Sequence, residues 1–281
     1  MDFSEKTIQI HAVKTQLYRW FTFYEREMNR ERTNFQLELL DEFVSINSMG
    51  NSVNGHSEYQ NILAMYHGTK NSHNLISFQI NSFSKKINCN AQITFQSVRP
   101  DNSSVQIGID YQLTFSDFNK NLPKFEKIEI KPISQEKMEA FHDSYPKNRI
   151  AALMHFWLFN IEIIDGNSES LKELLASNFM LYLSENNTID NLEKLEKWVK
   201  SIPFEITESN HFPTNFKVKK IEEHLYELHV DFIWRGTSVK GQKLKAVTNH
   251  KWIIEDNINE RFAKIQKMFV KYEVPFSPLE A

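Results

Sequence analysis

The residues with the most chemical potential lie in the second half of the chain. In KLKAVTNHKWII, Leu244, Ala246, Thr248, His250 and Trp252 share one parity, and Lys243, Lys245, Asn249 and Lys251 share the other. A strand that buries its apolar face therefore carries His250 inward. An imidazole exchanges protons near neutral pH, and indoles form the walls of apolar pockets. His250 is thus expected as a proton-transfer group or polar anchor with His211 as its partner, and Trp157, Trp252 and His155 as pocket residues. Trp20, Tyr24, Tyr59 and His73 are the matching set in the first half. The competing expectation is a filled core in which these rings bond to backbone groups.

Other chemistries find less support. LYELHVDFIW points Tyr226, Leu228, Val230, Phe232 and Trp234 one way and Glu227, His229 and Asp231 the other. His229, Asp231 and His224 have metal-ligand types at chelating spacing, but a solvated sheet face accounts for them better. There is no CxxC and no phosphate-binding glycine loop, so no cofactor is expected. The single cysteine, Cys89, rules out an internal disulfide and is weak evidence for a nucleophile. Residues 1–135 carry 14 basic and 14 acidic side chains, and the remainder 19 and 22. Neither half offers the cationic field that nucleic acid requires. MDFSEKTIQIHAVK lacks an apolar signal core, and no run approaches the ~20 residues that span a bilayer, so a cytoplasmic protein without membrane contact is expected.

The elements that must position these groups are readable from periodicity. Ile10, Val13, Leu17, Phe21, Tyr24 and Met28 recur at steps of three and four, one face of a long helix. A short helical patch follows at Leu37 to Leu40, then the apolar run FVSIN and a helix over HSEYQNILAMYHG with Tyr59, Ile62, Leu63 and Tyr66 on one side. The period then falls to two. HNLISFQI, AQITFQSVR, SVQIGIDYQLTFSD and KFEKIEI read as four long strands joined by hairpins, and helices followed by a meander define an α+β fold.

The second half repeats this order, from the helix NRIAALMHFWLFNIEII through MLYL and NLEKLEKWVKSI to four more strands. SHNLISFQI at 72–80 aligns with NHFPTNFKV at 210–218, which pairs His73 with His211 at an offset of 138. RWF at 19–21 matches FWL at 156–158 at an offset of 137, which pairs Trp20 with Trp157. The chain thus reads as a duplication, with domains at 1–133 and 149–281 and a linker at 134–148.

This order resembles that of the nuclear transport factor 2-like superfamily, which includes ketosteroid isomerase, scytalone dehydratase and the SnoaL-type cyclases. GHSEYQNIL looks like the family's glycine opening the third helix, and SHNLISFQI and NHFPTNFKV resemble its His-x-Val-x-Asn strand start. The resemblance implies two cone-shaped domains, each a curved antiparallel sheet wrapped around a long N-terminal helix, with an apolar pocket in the cone. It also implies intramolecular pairing of the two domains, and a homo-oligomer stays open. The chain departs from the family at the base: the position of the isomerase aspartate holds Asn47, and only a shifted register in MLYLSENN would place Glu185 there.

Three functions remain: a binder of an apolar small molecule, favoured in the second domain; a SnoaL-like lyase, isomerase or cyclase using His in place of Asp; and a non-catalytic scaffold. The lack of an inward carboxylate in this reading favours the first and third.

Overall fold

The structure, a computed structural model, describes residues 3–48, 50–63, 68–83, 86–184 and 187–279. Tyr66 and Glu185 lie outside the described residues. Two compact units emerge, one of Ala12–Arg149 and Ile258–Arg261, the other of Met1–His11, Ile150–Asn257 and Phe262–Ala281. Each unit takes most of one half of the chain together with a short piece of the other. The first turns of the opening helix belong with the second half, and residues 145–149 and 258–261 belong with the first.

The first-half unit contains most of α1 (Phe3–Tyr24), then α2 (Arg30–Leu37), β1 (Leu40–Ser48), β2 (Asn51–Asn54), α3 (Gly55–Leu63), β3 (Lys70–Phe83), β4 (Lys86–Val98), β5 (Ser104–Asp117) and β6 (Phe125–Glu136). The second-half unit repeats the series as α4 (Tyr145–Ile163), α5 (Glu169–Lys172), β7 (Leu175–Ser184), β8 (Asn187–Ile189), α6 (Leu192–Glu205), β9 (Ile206–Glu222), β10 (Leu225–Ser238), β11 (Lys243–Glu255) and β12 (Lys264–Pro278). Strand orders are identical, β2-β1-β6-β5-β4-β3 and β8-β7-β12-β11-β10-β9. The long strands form the antiparallel meander that alternation predicts. Each sheet is mixed, however, because β1 pairs with β6 and β7 with β12 in parallel. A parallel neighbour needs a long crossover, which here is a helix and the four intervening strands.

Alternation assigns the strand faces correctly. Tyr226, Leu228, Val230, Phe232 and Trp234 are buried, as are Ala246, Thr248 and Trp252, while Glu227, His229 and Asp231 are part-exposed. The opening helix departs from expectation. Val13, Leu17 and Phe21 are buried, but so are Gln9, His11, Thr15, Gln16 and Arg19 from its polar side. A helix buried on every face hides nominally polar positions from any amphipathic reading. It also stops at Tyr24, before Met28, because Arg32 donates to the carbonyls of Thr22 (2.7 Å), Phe23 (3.0 Å) and Glu27 (2.7 Å). The Thr22 and Phe23 carbonyls are among the acceptors that the end of α1 leaves without intrahelical partners. Gly55 opens α3 at φ +72°, where a Cβ would also come within 3.0 Å of the Glu42 carbonyl.

Trp20 packs against Tyr24, Tyr59 and Phe125, and Trp157 against Trp198 and Trp252. Both indoles are buried. Trp20→Ala and Trp157→Ala are each expected to cost about 3–5 kcal/mol by opening a core cavity. Chemical-denaturation midpoints measure this, and two unchanged midpoints would contradict the packing.

Candidate functional site

Each half buries one carboxylate that the sequence reading did not single out. Glu25 follows the last residue of α1, and Glu162 lies in the last turn of α4. Both side chains are fully buried. Their offset is 137, that of the paired tryptophans. Each contacts the start of the strand that carries the paired histidine.

In the second-half unit the Glu162 Oε1 accepts the backbone N–H of His211 at 2.5 Å and lies 3.1 Å from its ring Nδ1. The His11 Nε2 lies 3.4 Å from the same oxygen and 3.1 Å from the His211 carbonyl. His11 Nδ1 is in turn 2.8 Å from His155 Nδ1, so one of these rings donates to the other. His155, His11, Glu162 and His211 thus form a continuous hydrogen-bonded string. Burial acts to raise the Glu162 pKa, but the charge and hydrogen bond of His11, joined by those of His211, outweigh it and hold the carboxyl below its ordinary range.

The chemistry of this string turns on His211. With Nδ1–H directed at a carboxylate, the imidazole is fixed in the tautomer whose Nε2 carries the lone pair, the arrangement of an oriented general base. Among the described residues, His211 Nε2 has no hydrogen-bond partner, and 18% of the side chain is exposed. His250 approaches from β11. Both rings meet Phe232 edge-on, at centroid distances of 5.9 Å for His211 and 4.7 Å for His250. The indole N–H of Trp252 donates to His250 Nδ1 at 3.3 Å, and His250 Nε2 lies 3.0 Å from the Thr248 hydroxyl. Burial, with the nearby His211 adding to it and Asp231 opposing, lowers the His250 pKa to about 3. That ring is neutral at physiological pH.

The first-half unit builds the same frame and closes it. The Glu25 Oε1 accepts from the His73 backbone N–H (2.8 Å), the Ser144 hydroxyl (2.6 Å) and the Asn148 amide (2.9 Å), with His73 Nδ1 at 3.3 Å. Asn148 stands 137 residues after His11 and also donates to the His73 carbonyl, as His11 contacts that of His211. His73 is stacked on Phe21 and only 4% of its side chain is exposed. Of the other expected residues here, Tyr24 and Tyr59 share a hydroxyl hydrogen bond of 2.6 Å, to which Gln36 adds a third group, and Trp20 packs beside them. Tyr111 occupies the position equivalent to His250 in the strand register.

His229 bonds Glu227, and Asp231 bonds Asn215 and Asn249. Among the described residues no group of three or more His, Cys, Asp or Glu side chains is disposed to hold a metal. Cys89 is buried and its burial pushes the thiol pKa far up, so it is not a ready nucleophile. No helix of the described residues is long and apolar enough to cross a membrane.

Each half has the same α+β fold, helices in the same order and a six-stranded mixed sheet in the same strand order, so the chain is a tandem of two such domains. Solved structures similar to one half include a hexachlorocyclohexane dehydrochlorinase, LinA type 3, from Novosphingobium barchaimii (14% identity, 48% of this chain and 90% of that one, TM-score 0.42). A nuclear transport factor 2-like superfamily protein from Salmonella enterica is similar at 9% identity over 47% of this chain and 93% of that one, TM-score 0.41. A cystatin-like protein from Caulobacter vibrioides is similar at 10% identity over 46% and 91%, TM-score 0.39. No family model and no curated protein matches the sequence.

The site generates a pH dependence. Between pH ~6.5, where an exposed histidine titrates, and about 3, the unfolded chain binds a proton at His250 that the folded chain refuses. Stability is therefore greatest above pH ~6.5 and falls on acidification, with a slope from this group of up to about 1.4 kcal/mol per pH unit. His250→Gln should flatten the profile between pH 4 and 6.5; an unchanged slope would show that His250 protonates as readily folded as unfolded.

Proposed function

We propose that the second-half unit binds an apolar small molecule and moves a proton on it, with His211 as the base and Glu162 as the group that orients and balances it. The observation that carries this reading is the Glu162–His211 pair, with its partly exposed ring and an Nε2 that meets no protein group among the described residues. Trp157, Trp252 and Phe232 supply apolar surroundings, and the neutral His250 serves as a polar anchor in place of the proton-transfer role first expected of it. A general base is most effective when its pKa lies near the operating pH, a condition His250 does not meet. The reaction class is that of a lyase or isomerase that abstracts a proton from carbon and needs no cofactor. The first-half Glu25–His73 pair, saturated by Ser144 and Asn148, acts as a structural pin.

The experiment is solvent-deuterium exchange into a panel of apolar cyclic ketones, read by mass spectrometry, together with NMR of the histidine rings. Wild-type protein should catalyse exchange on at least one compound and shift the His211 resonances. His211→Gln should lower the exchange rate by about 10²–10⁴, the usual contribution of a positioned base. Glu162→Gln should lower it with little change in ligand affinity. Ligand-dependent shifts without exchange would reduce the proposal to binding alone. If no compound moves either signal while both variants merely lose stability, the pair is structural in both halves.

A further inference from the structure

The inner face of the second-half sheet is closed at one end and open at the other. One cross-strand row, Leu228, Trp252 and Met268, is 1% exposed or less throughout. Two rows further on, Phe232 and Thr248 lead to Tyr272, which is 38% exposed. The next row holds Trp234 and Ala246, and there Phe276 reaches in from β12 to meet Trp234 edge-on, with ring centroids 4.9 Å apart. Phe276 is 54% exposed. His211 is the β9 partner of Trp234, so the proposed base stands in the row at this open end, which accounts for its part-exposed ring.

Three contacts fix the indole of Trp234. Its N–H donates to Ser209 Oγ at 2.9 Å, its six-membered ring lies over Gly236, and Phe276 covers it. A Cβ at Gly236 would overlap that ring and the Glu208 carbonyl, so glycine supplies the space the indole occupies. Phe276 in turn meets Tyr272, with centroids 5.5 Å apart. Trp234, Phe276 and Tyr272 thus form one aromatic strip whose innermost ring is held and whose outer two are open. Aromatic rings gain from edge-to-face and offset-stacked pairing beyond the area they bury, which favours another flat ring over a saturated one of equal size. The strip is continuous with the base through the Trp234–His211 pair and through Phe232, whose ring lies 5.9 Å from that of His211. The strands carrying His211 and Phe276 are three spacings apart in the sheet, about 14 Å. With Phe276 reaching inward to Trp234 and His211 to Phe232, a molecule of two fused rings spans what is left.

We propose that this strip is the ring-binding part of the second-half site and that its ligand is an aryl-fused ketone, a flat aromatic ring joined to a carbonyl that bears an exchangeable α-hydrogen. The ring lies on Phe276 and Tyr272, and the carbonyl end is directed toward His211. The choice of a ketone rests on the proton-transfer reading of His211, whereas the choice of an aromatic ring rests on the strip alone. A held indole behind the open rings means that binding draws little on side-chain ordering. In the first half the strand register puts Pro132 where Tyr272 stands, so the strip belongs to the copy that keeps the part-exposed histidine.

Equilibrium dialysis of the full chain against 1-tetralone and 1-decalone, which share a carbon skeleton and differ in one aromatic ring, tests this. The wild-type chain should bind 1-tetralone about threefold to tenfold more tightly. Phe276→Leu and Tyr272→Leu keep apolar bulk and each remove one ring, so each should bring the affinity ratio toward one with little change for 1-decalone. Both positions are exposed, and circular dichroism checks that the variants fold. His211→Gln should keep the wild-type ratio. Solvent-deuterium exchange into 1-tetralone is read separately: preferential binding without exchange upholds the ring site and removes the proton-transfer reading, and exchange without preference does the reverse. The proposal fails if neither ketone binds up to about 2 mM. It fails equally if the wild-type chain shows no preference, or if both leucine variants retain it in full.

Discussion

The fold depends on one buried carboxylate in each half. An ionised group taken from water loses several kcal/mol of solvation that only close partners restore. Glu25 and Glu162 meet that requirement in the same way. Each binds the backbone N–H and the ring of the histidine that begins a long strand, then a side chain of the opposite opening helix, Asn148 or His11. The end of a helix is thereby fixed to the start of β3 or β9. The register of the rest of each sheet follows from that strand.

The two copies have diverged in what surrounds this shared frame. In the first half the third partner is an amide and the fourth a hydroxyl, neutral groups that satisfy Glu25 without adding charge. Phe21 covers His73, and Tyr111 and Leu113 stand where the second half has His250 and Trp252. In the second half an imidazole replaces the amide, a second imidazole joins it, and Leu158 replaces the covering phenyl ring. One copy is a pin that holds helix to strand. The other is a string of titratable groups that ends on a partly open ring.

Much of this was legible in the sequence, because strand parity and helical spacing report directly on burial. The faces of β10 and β11, the pairing of Trp20 with Trp157 and the tandem order could all be read from local patterns. The parallel pairs β1·β6 and β7·β12 could not, since a strand's distant neighbour leaves no mark on its own alternation. Glu25 and Glu162 were missed for a physical reason. At the end of a helix a glutamate reads as a solvated residue, and His11 lies on a side of α1 that an amphipathic reading assigns to water. A signal existed in the duplication itself: Glu25 and Glu162, and His11 and Asn148, repeat at the same 137-residue offset as the tryptophans. Aligning polar residues as well as apolar ones would have exposed the string.

The unshared oxygens explain why the second copy is the more responsive. In both glutamates Oε1 takes all the contacts, and the buried Oε2 has no partner among the described residues. In Glu162 carboxylate charge is spread over both oxygens, so half of it sits where no protein group among the described residues meets it, and burial favours the protonated form. In Glu162 the charge and hydrogen bond of His11 are the largest forces acting against that protonation. His11 belongs to the first turns of α1, which are grouped with the second-half unit. The ionisation of Glu162, and through it the tautomer of His211, is therefore set by whether those N-terminal turns are in place.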